Sequence, residues 1–221
     1  MINTSRIFSD IYERNLWGKS LTNTPFSGPG SHNAQAVDPY VSAVRTLIAN
    51  NFLTPPDAVD LGCGDFNVGK QIRNVTDRYI ACDIVPNVVN YNRLIYASED
   101  VDFRILDLVT EELPAGDVVF VRQVLQHLRN DQISRFLPKL HIYKWLILTE
   151  SIPPQDPFVP NHDIETGEFA RLDFNSGVDL TKAPFNLKHF NAMVLSEIFG
   201  AYHKDGEQDR IRTTAYQLQR T

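Results

Sequence analysis

A chain of 221 residues, 43% hydrophobic and 10% aromatic, carries enough apolar material for one sizeable core, and its length suits one domain better than two. A formal charge of −6 and an isoelectric point near 5.5 argue against a protein whose main work is gripping nucleic acid, because neutralising phosphates calls for a basic surplus. Only two cysteines, Cys63 and Cys82, no apolar run approaching the ~20 residues of a membrane span, and an N-terminus too polar and acidic for a signal peptide predict a soluble, cytoplasmic protein.

In chain order, Ile7, Phe8, Ile11 and Tyr12 predict a short helix, followed by a made turn at Ser27 to Asn33, where Pro29 lies between two glycines. Val37, Val41, Val44, Leu47 and Ile48 recur at helical spacing over residues 34–52, and Pro55-Pro56 follows as a stop. Alternation then begins: a strand at 58–61, a helix over 67–75, a strand at 79–82, a helical stretch at 85–91, and strands at 101–105 and 117–121. Asn130 offers a cap for a helix over Ile133, Phe136, Leu137 and Leu140, and Trp145 to Thr149 is a fifth strand. Short apolar strands alternating with helices predict a parallel sheet covered on both faces. Residues 152–186, with five prolines and little periodicity, predict an irregular insert, and a long insert in a compact domain is usually a lid or a binding loop. Two strand-like runs, around 195–203 and 211–218, close the chain as an antiparallel pair, with Asp205-Gly206 as the turn between them and the scattered Arg210, Arg212 and Arg220 as a solvated face.

The sharpest feature is Val59-Asp60-Leu61-Gly62-Cys63-Gly64, an apolar strand running into glycines and then a predicted helix. Glycine permits positive φ and close backbone approach to a ligand, and a helix N-terminus offers free N–H groups. A nicotinamide site would want a third glycine or alanine where Asn67 stands. Asp60 is also wrong for a pyrophosphate, but suits a cationic amino-acid ligand. Asp83, at the end of the second strand, can accept both hydroxyls of a ribose. Asp107, after the third strand, lies beside the Leu108 N–H, a pair able to read the amine edge of an adenine. Arg122 and Gln123 face the crevice where the fourth strand ends.

Together, DLGCG, the acidic end of the second strand, the aspartate after the third and the VLQHL segment after the fourth resemble the class I S-adenosylmethionine-dependent methyltransferases, in order and spacing from about residue 55 to 150. The resemblance implies a Rossmann-like α/β fold, a seven-stranded mixed sheet, mostly parallel with the last strand antiparallel and helices on both faces. It also implies S-adenosylmethionine as cofactor. Asp60, Gly62 and Gly64 would then shape the amino-acid end of the pocket. Asp83 and the adjacent Ile84 would bind at the ribose, Asp107 and Leu108 would hold the adenine, and Gln123 would lie beside the sulfonium. IYERNLWG with SGPGS resembles the subset of bacterial methyltransferases that accompany surface-glycan and capsule synthesis, whose N-terminal arm is expected to close over the cofactor. That implies cofactor contacts from Trp17 and Ser31. The Asn/Asp-Pro-Pro-aromatic signature of amino-directed nucleic-acid methyltransferases is absent, Val121-Arg122-Gln123-Val124 standing in its place.

The expected organisation is one methyltransferase domain: an arm at 1–33, a cofactor-binding core at 34–151, an acceptor-recognition insert at 152–186 and a closing hairpin at 187–221. The expected acceptor is a small molecule, sugar or glycan intermediate methylated on oxygen. A base for an alcohol acceptor would come from His32, His127, His162 or Asp163, among which the sequence does not choose. His127 reads more readily as a structural histidine. His162, Asp163 and Glu165 match no metal spacing, so no metal is expected. The insert would offer Phe158, Phe169 and Phe174 as apolar walls and His162, Asp163, Glu165 and Arg171 as polar contacts. A nicotinamide oxidoreductase and a non-catalytic cofactor-binding module remain as alternatives.

Overall fold

The computed structural model describes residues 3–22, 24–155, 157–202 and 207–219; the expected Asp205-Gly206 turn and Arg220 lie outside them. Four strands run β1 (Ala58–Leu61), β2 (Tyr79–Asp83), β3 (Asp102–Ile105) and β4 (Val118–Arg122), followed by β5 (Trp145–Ile152), β6 (His189–Tyr202) and β7 (Gln208–Leu218). They form one seven-stranded sheet in the order β3-β2-β1-β4-β5-β7-β6. The β1–β5 pairings are parallel, and β7 runs antiparallel between β5 and β6. From β1 the chain fills one side of the sheet and then crosses to β4 on the other. This reversal opens a crevice beyond the C-terminal ends of β1 and β4.

Side-chain alternation explains the two-sided cover. Val59, Leu61, Val119, Val121, Leu146 and Leu148 point to a face packed by Phe8 and Ile11 of α1 (Thr4–Glu13), by Ile133 and Phe136 of α4 (Asn130–Phe136), and by Val178 and Leu180 of the insert. Ala58, Val118, Phe120 and Ile147 point the other way, under Tyr40, Val44, Leu47 and Ile48 of α2 (Ala34–Asn51). The remaining helix, α3 (Pro86–Ile95), splits its buried valines between the faces, Val88 to one and Val89 to the other. No helix among the described residues is long and apolar enough to cross a membrane.

Two local expectations change. Residues 67–75 form 3-10 turns at Gly69–Gln71 and Arg73–Val75 instead of an α-helix. The cause is Phe66, which takes φ 62° to bury its ring against Tyr79, Tyr96 and Phe103. Gly69 leaves room for that ring, and Asp65 Oδ1 takes the Asn67 N–H at 3.1 Å. The row of free N–H groups expected behind the glycine turn is therefore not built. Asn130 does not cap α4 either. Asp163 Oδ1, from the insert, accepts the Asn130 N–H at 2.7 Å, while the Asn130 side chain bonds Asn161 O and Arg171.

Candidate active site

The crevice is lined at its floor by Asp60 to Asp65, Asp83 to Val85, Leu106 to Val109 and Arg122 to Val124, and at its roof by Phe8, Tyr12, Trp17, Ser27 and Ser31 of the N-terminal arm. Of the residues expected to touch a cofactor, Asp60, Gly62, Gly64, Asp83, Ile84, Asp107, Leu108, Gln123, Trp17 and Ser31 all line it. His127 does too; His162 and Asp163 do not.

The glycine turn has a steric reason. Gly62 (φ 77°) and Gly64 (φ 53°) occupy the left-handed region, and a Cβ at either would collide, with Val124 Cγ2 and with Ser27 Oγ respectively. Asp83 stitches the turn to β2: one carboxylate oxygen accepts the Gly64 N–H and the other the Val85 N–H, each at 2.9 Å. With the Ile84 N–H as a further backbone donor, the carboxylate's four lone-pair sites still leave room for a ligand hydroxyl. Asp107 also does local work, accepting from Val109 N–H and Thr110 Oγ1 at 2.8 Å each. Its neighbour Leu108 has a backbone N–H with no partner among the described residues.

At the other end, Asp60 is buried and accepts the Tyr79 hydroxyl at 3.0 Å; burial pushes its carboxyl up to about 7. Arg122 stands 5.3 Å over the Tyr40 ring and donates to Gly30 O (2.8 Å), Gln123 Oε1 (3.0 Å) and Ser31 Oγ (3.4 Å). Its Nε is buried without a partner, and no carboxylate lies within ion-pair distance among the described residues. Burial lowers its pKa. Gln123 itself sits at φ 54°, an uncommon conformation for a residue with a Cβ, and its amide reaches Ser151 Oγ at 3.3 Å.

The arm is stitched to this floor. Asp65 N–H donates to Ser27 Oγ (2.7 Å) while Ser27 N–H donates to Asp65 Oδ2 (2.9 Å). His32 Nε2 reaches the same Oδ2 at 2.7 Å, Tyr12 bonds Ser27 Oγ at 2.9 Å, and Asn67 Nδ2 bonds Ser31 O at 2.7 Å. Trp17 bridges the arm to the insert, its indole N–H donating to Glu168 O (3.2 Å) and its ring 5.0 Å from that of His127. His127 is buried, which pushes its pKa down to about 4. With Nδ1 at Phe169 O (3.3 Å) and Nε2 at the Gln126 amide (3.2 Å), both ring nitrogens are engaged in the neutral form.

His162 and Asp163 are exposed on the insert, His162 stacked on Phe174 and Asp163 capping α4. Arg171 is turned inward and almost fully buried, and does not reach outward to an acceptor. Sequence reasoning missed Tyr12, Ser27, Tyr40 and Asp65 as parts of the site. Ser27 and Tyr12 stand in the SGPGS and IYERNLWG stretches, where the arm's resemblance was their one available signal.

No family profile matches the sequence, and no curated protein resembles it in sequence. Solved structures do resemble it. Magnesium protoporphyrin IX methyltransferase from Synechocystis PCC 6803, with bound SAM, aligns over 98% of both chains with TM-score 0.56 and 15% identity. The N-methyltransferase NodS from Bradyrhizobium japonicum WM9, in complex with S-adenosyl-L-homocysteine, covers 84% of this chain and 88% of its own, with TM-score 0.57 and 10% identity. The N-terminal domain of EvdMO1, solved in the presence of S-adenosylhomocysteine and D-fucose, covers 82% and 83%, with TM-score 0.57 and 14% identity. The chain has the fold of the class I S-adenosylmethionine-dependent methyltransferases.

Proposed function

We propose that the protein is a cytoplasmic S-adenosylmethionine-dependent methyltransferase that O-methylates a small molecule, sugar or glycan intermediate. The observation that carries this reading is the spacing of three unlike subsites along one crevice at the topological switch point. Asp83 keeps lone pairs for a ribose, the free Leu108 N–H stands at the adenine end, and a glycine cradle that a Cβ would fill leads to Arg122 and Asp60. Arg122, its Nε buried without a partner, supplies the counter-charge for an amino-acid carboxylate, and Asp60 complements its ammonium. When bound, the cofactor supplies a methyl group on a sulfonium, an excellent leaving group for in-line displacement. The protein's share is to align the nucleophile and exclude water, so proximity supplies most of the effect. The arm, stitched over the floor through Ser27, Asp65 and Trp17, is placed to exclude that water.

The 3-10 turns after the glycines also weigh against a nicotinamide enzyme, because no α-helix N-terminus waits for a pyrophosphate. The sugar or glycan acceptor is supported by the SGPGS arm and by the structural neighbour solved in the presence of D-fucose. The cytoplasmic assignment is supported by two unpaired cysteines. Calorimetric titration tests the core of the proposal: S-adenosylhomocysteine should bind and NAD should not. Asp83→Ala should weaken binding by about 1–3 kcal/mol, the loss expected when a charged hydrogen-bonding partner is removed. Absence of binding to the wild-type protein defeats the reading. Product analysis with labelled cofactor across sugars and glycan intermediates separates an enzyme from a module that merely holds the cofactor.

A further inference from the structure

Among the buried ionisable groups outside the cavity lining are Glu150 on β5, 2% exposed, and Arg171 in the insert, 1% exposed. Both grip one short piece of backbone. Glu150 Oε1 accepts the Leu125 N–H (2.9 Å) and Oε2 the Gln126 N–H (3.0 Å). Arg171 donates to Leu125 O and Leu128 O, each at 2.7 Å, and its remaining bonds go to Asn130 Oδ1 (2.8 Å) and His162 O (3.0 Å). Leu125 therefore gives its N–H to the acid and its carbonyl to the base. The 3-10 turn Leu125–His127 is held from outside at both ends.

The other side of this segment faces the cavity through Val124, His127 and Leu128. Val124 Cγ2 occupies the space a Cβ on Gly62 would need, so the wall and the glycine turn are in direct contact. Alone, so short a turn has little to hold its shape; its own bonds are His127 N–H to Val124 O and Leu128 N–H to Leu125 O, both 3.1 Å. Burying two ionisable side chains is costly, and apolar side chains of similar volume would often fill such space at no loss of stability. Apolar side chains would not direct backbone N–H and carbonyl groups.

We propose that Glu150 and Arg171 are positioning residues: by bracketing the 124–128 backbone from outside, they set the cavity wall against which the glycine turn packs and orient His127. The proposal rests on the cofactor reading above for its binding readout. The Pro-rich insert, through Arg171, thereby becomes a buttress of the cofactor site.

The test compares Glu150→Gln, Arg171→Lys and the milder Asn130→Ala, which removes one of Arg171's four partners, with Tyr143→Phe as control. Tyr143 is buried and bonds Pro114 O (2.6 Å) just before β5, at the opposite end of the sheet, so its loss costs stability without touching the wall. At a temperature where each variant's circular dichroism is native, S-adenosylhomocysteine is titrated by calorimetry and the His127 imidazole resonances are recorded. Glu150→Gln and Arg171→Lys should weaken binding by about five-fold or more, the factor one lost buried hydrogen bond carries, and shift the His127 signals. Asn130→Ala should move both readouts less and in the same direction, and Tyr143→Phe neither. Wild-type affinity with unmoved His127 signals in the bracket variants overturns the proposal. A wild-type protein that does not bind S-adenosylhomocysteine defeats the cofactor reading instead, and the His127 signals then test the bracket alone.

Discussion

The crevice floor and the two segments that cover it are built on different physics. On the floor, residue type follows from backbone conformation: Gly62 and Gly64 stand where φ is 77° and 53° and where a side chain would collide. In the cover, residue type follows from distant partners. Arg171 reaches carbonyls 43 and 46 residues away, and Ser27 pairs with Asp65 across 38. The arm and the insert also differ from each other. The arm lays side chains into the cavity, whereas the insert turns its most distinctive polar residues onto α4 and the turn before it. They meet at α4, where Gln132 bonds Thr4 Oγ1 of the arm (3.0 Å) and accepts from Thr166 of the insert.

The sharpest way to break the distinction between roof and buttress is Arg171→Met. Leaving four buried acceptors without the guanidinium should cost several kcal/mol of folding stability, since each unsatisfied buried acceptor costs about 1–3 kcal/mol. Urea denaturation measures it. A loss below about 1 kcal/mol, typical of an exposed ion pair, would mean that Arg171 does not hold the turn. On the roof, Trp17→Ala removes an indole packed on Phe8, Tyr12 and His127 and bonded to Glu168 O. It should weaken S-adenosylhomocysteine binding by about 1–3 kcal/mol, as loss of a large half-buried aromatic side chain's contacts does. Unchanged affinity in a folded Trp17→Ala protein would remove the arm from the cofactor site.

A smaller effect separates a cap from a catalytic group. Asp163→Ala deletes the acceptor of the Asn130 N–H and should cost about 1 kcal/mol of stability, as lost helix caps do, with cofactor affinity unchanged. His162→Ala, which removes a ring stacked on Phe174 outside the cavity, should also leave cofactor affinity unaltered. A collapse of affinity in either variant would bring the insert's tip into the site.

These contrasts explain what was legible beforehand. Strands and the glycine turn announce themselves through apolar runs and through residues that only one conformation favours, while the seven-stranded sheet and the ten lining residues are named through the resemblance that these features carry. The 3-10 turns after Gly64 could not, because Phe66's burial against three aromatic rings overrides a helical pattern at 67–75. Gln123's positive φ carries no residue-type signal at all, since glutamine has no preference for it. The insert's charges read as contacts to an acceptor because they stand in a long irregular loop, and the carbonyls that bury Arg171 have no sequence signature.

A last expected effect lies in the pH dependence of stability, where floor and buttress titrate in the same direction. Burial raises Asp60 to about 7 and Glu150 to about 8, while the same cause lowers His127 to about 4. A carboxyl with a raised folded pKa binds a proton that the unfolded chain has already released. Its contribution is thus fully present below the unfolded value near 4 and is lost as pH rises through the folded one. His127 behaves oppositely, contributing above its unfolded value of 6.5 and losing that contribution as pH falls towards 4. In the acid range the histidine therefore offsets part of the carboxyl effect. From about pH 6.5 upward only the carboxyls act, and between about 7 and 8 Glu150 dominates. Urea midpoints should fall from pH 6.5 to 8 in the wild-type protein. Glu150→Gln, though less stable near pH 6.5, should flatten the upper half of that decline, and Asp60→Asn the lower half. Parallel declines in all three proteins would mean that Glu150 holds the 124–128 turn as an ordinary ionised carboxylate, and the buttress would then be no more pH-sensitive than the surface.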